Sequence, residues 1–159
     1  MERFMNTKGL RISDIKDGKC IPLSEMLGDI PYPSQLNWEL LWLDVTPIKK
    51  EGKSITELQK KVNKSKNGIS CDFKLLVELS GKIFQEIEIL IIGCKVKEHL
   101  HRYKEDQRMY ENCDIVIEMI DGGCWEIFSK NINWIDRLAK KYNEVEYLSP
   151  DFQKKSLKN

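Results

Sequence analysis

The spacing of apolar positions changes several times along the 159 residues, and each change predicts an element. Residues 10–15 read as a short strand. Leu23, Met26, Leu27 and Ile30 recur at the i, i+3, i+4, i+7 spacing of a helix, with Pro22 in its first turn and Pro31 to Pro33 ending it. In residues 36–45 Leu36, Trp38, Leu40 and Trp42 share one parity and Leu41, Leu43 and Val45 the other, which predicts a strand apolar on both faces and interior to a sheet. Residues 46–68 form the most polar connection. Within it Ser54 to Glu57 has capping-box spacing, and Ile55, Leu58 and Val62 give a short helix one apolar stripe.

From Ile69 the period becomes two. Ile69, Cys71, Phe73, Leu75, Val77 and Leu79 predict one strand, and Ile83, Ile87, Ile89 and Ile91 its hairpin partner. A three-residue turn over Ser80 to Lys82 sets Leu79 against Ile83 and Leu75 against Ile87. Residues 97–112 read as a polar helix with a thin stripe of Leu100, Tyr103 and Tyr110. Residues 115–121 and 124–129 read as a hairpin around Gly122-Gly123, in which Met119 faces Glu126, so that Glu118 and Glu126 point to opposite faces. Ser129 or Asn131 then caps a helix that buries Ile132, Ile135, Leu138, Ala139 and Tyr142, and residues 145–148 form a last strand. Hairpins dominate. The expectation is one α+β domain, residues 1–150, with a mostly antiparallel sheet and three to four helices packed on it. Residues 151–159 form a basic flexible tail.

Composition narrows the function classes. Apolar residues make up 41% and the net charge is +1, which does not suggest a binder working by bulk phosphate neutralisation. The longest apolar run, residues 87–94, is broken by Glu88 and Gly93, far short of the ~18 residues of a membrane span. The beginning lacks the apolar run of a secretory signal, and either Met1 or Met5 could start the chain; a cytoplasmic protein with no membrane association is expected. Five cysteines without a C-x-x-C spacing read as free thiols.

Candidate chemistry is sparse. Cys113 and Cys124 lie too far apart along the predicted hairpin to share a disulfide or a metal. Cys94 with His99 and His101 offers a thiol and imidazoles, but on a helix the two histidines point about 200° apart. No phosphate-cradling glycine loop occurs. No catalytic residue, metal site or cofactor is expected. Charge is segregated, however. Residues 46–68 carry seven lysines, Lys49 to Lys66, against two acids, with no interleaved aromatics. Residues 78–121 carry ten acids against six bases. Segregated charge without a catalytic kit suits electrostatic recognition of another protein.

The stretch CDIVIEMIDGGCWEIFSKNINWIDRLAKKYNEVEYL, residues 113–148, resembles the ending of small uncharacterised proteins of Bacillus-type bacteria, in its order of acidic-apolar strand, turn, strand, helix and final VEYL strand. The same layout is similar to immunity proteins of polymorphic toxin systems. The resemblance implies a cytoplasmic, non-enzymatic protein that neutralises a cognate toxin domain, such as a nuclease, by occluding its active site; no functional residue carries over. From the sequence, Glu98, Glu105, Asp106, Glu111 and Asp121 are the candidate partner-binding acids, and no nucleic-acid partner is expected. Two alternatives stand beside it: a small enzyme using Cys94 or His101, and an RNA-associated protein binding through Lys49 to Lys66.

Overall fold

The computed structural model describes residues 7–151, so the expected tail beyond Asp151 and the choice between Met1 and Met5 lie outside the described residues. In chain order the elements are β1 (Lys8–Ile12), a small hairpin of β2 (Ile15–Lys16) and β3 (Lys19–Cys20), α1 (Leu23–Gly28), β4 (Asn37–Pro47), α2 (Gly52–Lys64), β5 (Ile69–Cys71), α3 (Phe73–Ser80) and β6 (Ile83–Cys94). There follow α4 (Asp106–Asn112), β7 (Ile115–Ile120), β8 (Cys124–Ser129), α5 (Ile132–Lys141) and β9 (Val145–Leu148). Seven strands form one sheet in the order β5-β4-β6-β7-β8-β1-β9, every neighbouring pair antiparallel. The α+β expectation holds, with five helices among the described residues.

One sheet face carries the main core. Leu10, Ile12, Trp38, Leu40, Leu43, Ile89, Ile91, Ile117, Trp125 and Ile127 meet apolar residues of α1, α2, α3 and α5 there. Distant side chains pin these helices. The Glu86 carboxylate accepts from the Leu23 backbone N–H at 2.8 Å, so a strand residue satisfies the open N-terminus of α1. The same acid, after burial, helps push the Cys20 thiol up to about 11. On α2, Asn63 accepts from the N–H of Leu43 and donates to its C=O, both at 2.9 Å, and Gln59 accepts from the N–H of Val45 at 2.8 Å. The short β5 pairs β4 only at residues 38–40, and α2 thus supplies the partner that the rest of this edge lacks.

Several expectations are corrected. The segment read as a strand from Phe73 to Leu79 is α3; the Asp72 side chain accepts from Leu75 N–H and starts the helix. No 69–79/83–91 hairpin forms, because β6 pairs with β4 and β7. The polar helix at 97–112 contracts to α4, preceded by a 3-10 turn at Lys97–His99. Helix α2 starts at Gly52, so Ser54 is not its cap; its hydroxyl donates instead to Glu51. In β4 a bulge at Leu41 changes the parity, so Leu43 and Val45 share the main core with Trp38 and Leu40 while Trp42 stays exposed. The β7–β8 turn takes three residues, 121–123, with Gly123 N–H donating to Ile120 C=O. That one-residue slip sets Glu118 directly opposite Glu126, on the same face.

Candidate functional site

The second sheet face is covered over only part of its area. Here α4 and the segment before it lay Met109, Tyr110, Leu100 and Tyr103 over Leu41, Ile92, Val116, Phe128 and Leu148, with Tyr110 stacked on Phe128 at 3.7 Å between ring centroids. Gly9 lies under Phe128; a Cβ there would stand 2.4 Å from the ring. Beyond this cover the face opens. Register assembles two rows on it. In one, Trp42, Leu90, Glu118, Glu126, Arg11 and Glu146 are successive cross-strand partners on β4, β6, β7, β8, β1 and β9. In the next, Asp44 pairs Glu88, and Ile120 pairs Cys124.

Arg11 organises the inner acids. Its Nε and Nη2 donate to Glu126 Oε2 at 3.1 and 2.8 Å, and its Nη1 reaches Glu146 at 3.0 Å. Glu126 is 0% exposed, so this pair is desolvated on the carboxylate side. The outer acids are treated differently. Asp44, Glu88, Glu118 and Asp121 gather at one end of the face beside Trp42, which is 40% exposed. Glu88 shows the consequence. Hydrogen bonding with Asp121, then partial burial, then the nearby charges of Asp121, Asp44 and Glu118 hold its carboxyl above the usual range. The turn carrying Asp121 is tied to the sheet, because Gly122 N–H donates to Ile87 C=O at 2.8 Å.

Of the acids singled out by sequence, Asp121 belongs to this group. Glu98 and Glu105 are exposed, but they lie beyond the other end of β7, about 20 Å away at ~3.3 Å per residue. Asp106 is half-buried in the first turn of α4, and Glu111, only 8% exposed, accepts from Gln107 at 2.9 Å. The five therefore do not form one patch, and the interleaved Arg102 is tied to the C=O groups of Val62 and Ser65. Asp44, Glu88 and Glu118 were missed, since only the strand order and the register bring them together.

The thiol and imidazole candidates sit under and beside the cover. Cys94 and Cys113 are buried, and the Cys94 thiol, then burial, push the Cys113 thiol far above the ordinary range, which keeps it protonated and poorly nucleophilic. The Tyr103 hydroxyl donates to His99 C=O at 2.7 Å, and the His101 ring packs tilted against Tyr103, its Nδ1 2.9 Å from Arg102 O. The ring is thus held by backbone and an aromatic neighbour. The seven lysines of 46–68 are all exposed, on or beside α2. No helix among the described residues is long and apolar enough to cross a membrane. Comparison with protein-family models, with characterised proteins and with solved structures finds no match for the chain.

Proposed function

We propose that the chain is a non-enzymatic binding protein whose open sheet face docks on a basic surface of a protein partner, in the manner of an immunity protein that occludes the active site of a cognate bacterial toxin. One observation carries this reading. Four carboxylates, Asp44, Glu88, Glu118 and Asp121, are held close enough on the face to raise Glu88, next to an exposed tryptophan. Like charges on neighbouring strands lower the stability of the free protein. A cationic surface removes that repulsion on contact, and Trp42 with Leu90 and Ile120 supplies apolar area at its centre. Nuclease-type toxins present basic active-site surfaces of the kind this face complements.

The test measures association with the C-terminal domain of a secreted protein encoded beside this gene. A complex should form with an association rate that falls steeply between about 50 mM and 200 mM salt. The double change Glu88→Lys and Asp121→Lys should slow association by ~10-fold or more, while Glu98→Lys with Glu105→Lys should have little effect. Loss through the second pair and not the first would move the interface to the other end of the sheet.

A further inference from the structure

A cleft separate from the acidic group lies at the β5 edge of the sheet, toward the other end of β4 from Trp42 and Asp44. Where β5 pairs with β4, a cleft of about 520 Å³ is lined by Trp38, Glu39, Ser70, Asp72, Lys97 and Leu100 among others. Glu39 is only 4% exposed. Its Oε2 accepts from the Ser70 hydroxyl at 3.0 Å, and its Oε1 has no hydrogen-bond partner among the described residues. A buried carboxylate oxygen without a donor carries its desolvation penalty uncompensated. Burial also raises the Glu39 carboxyl, against the hydrogen bond of Ser70 and the charges of His101 and Arg102.

We propose that this cleft binds a small primary amine, with Glu39 as the counter-ion of its ammonium group. The oxygen only accepts when ionised, so the matching group is a donor, and a positive one offsets the desolvation that the carboxylate already bears. The last torsion of a glutamate is broad, and one bond from Ser70 leaves the carboxylate able to turn its second oxygen toward the cleft. The lining residues carry two carboxylates, Glu39 and Asp72, against the one ammonium of Lys97, and Leu36, Trp38 and Leu100 offer wall for a short apolar body. Asp72 is engaged at α3, which leaves Glu39 as the recognising group. Covalent chemistry is disfavoured: burial, with Asp72 and Glu39 nearby, pushes the Cys71 thiol up to about 12, so it stays protonated.

The experiment titrates n-butylammonium chloride into the full chain and follows backbone amide shifts, with n-butanol and sodium chloride at equal concentrations as controls. Saturable shifts are expected at residues 36–39, 70–72 and 97–101 with the amine alone. Glu39→Gln should weaken binding by ~10-fold or more, and Glu88→Gln, on the docking face, should leave it unchanged. Lys97→Ala, an exposed change that keeps the test alive should Glu39→Gln not fold, should tighten binding several-fold by removing the opposing charge. Equal response to n-butanol, shifts mapping to Asp44, Glu88 and Glu118 instead, or an unchanged affinity in the Glu39 and Lys97 variants would overturn the assignment, whatever becomes of the docking face.

Discussion

At the scale of single residues, the open face depends on a glycine and an arginine. Gly9 lets the Phe128 ring lie flat beneath Tyr110, and any side chain at position 9 must displace that stack. Gly9→Ala is expected to destabilise the protein by about 1–3 kcal/mol, as overpacking does, measured by urea unfolding. The Arg11 guanidinium is the partner that lets Glu126 be fully buried. Arg11→Met removes one member of a desolvated pair and should cost about 3–5 kcal/mol, because a buried carboxylate loses its guanidinium. The double change Arg11→Met with Glu126→Gln should recover much of the loss. Recovery of none would mean that the arginine acts through its packed stem and not through its charge. Neither role was legible in the sequence, because a glycine gives no hint of the ring it accommodates and Arg11 and Glu126 meet only through the β1–β8 register.

At the scale of elements, the sequence was readable where one period ruled and misleading where two periods fitted. Helix α5 has its cap Asn131 and its buried Ile135 and Leu138 where spacing puts them. Helix α3 was hidden because Leu75 and Val77 are apolar yet 53% and 46% exposed, so the segment keeps an alternation that the fold does not use. The helical signal was present in Phe73, Leu76 and Leu79 and in Asp72 as a cap. The acidic group on the open face was hidden for a similar reason. Reading the β7 turn as two residues instead of three put Glu118 and Glu126 on opposite faces, and no local pattern announces the bulge in β4. What α2 does for β4 was equally invisible, since Asn63 and Gln59 read as ordinary polar positions. Asn63→Ala leaves the N–H and C=O of Leu43 without their partner and should cost about 1–3 kcal/mol, while Lys60→Ala on the exposed side of the same helix should fall within ~0.5 kcal/mol. Equal losses from the two variants would show that helix propensity, not the edge contact, sets the effect.

At the scale of the whole molecule, the proposed docking role sets binding against stability on the open face, and pH separates them. The raised carboxyls of Glu88 and Glu39 hold protons that the unfolded chain has already released. Between the ordinary glutamate value of about 4.3 and their raised values, the folded state therefore binds more protons, and stability rises as pH falls through that window. Asp136 behaves in the opposite sense. Its hydrogen bonds from Lys8 and Tyr147 hold it below the ordinary range, so its contribution is present above about 3.9 and is lost as pH falls further. The melting temperature should thus climb on mild acidification from neutrality and then fall, with its maximum near the ordinary carboxylate range. Glu88→Gln should abolish part of the climb and, at neutral pH, stabilise the free protein by about 0.2–1 kcal/mol, the range for a like-charged cross-strand contact at a screened site. The same variant should bind a basic partner more weakly. A residue kept only for folding cannot give both results, because removing a structural charge that helps the fold lowers stability. Were Glu88→Gln less stable at neutral pH, the carboxylate group would be part of the scaffold, and the open face would lose its strongest claim to be an interface.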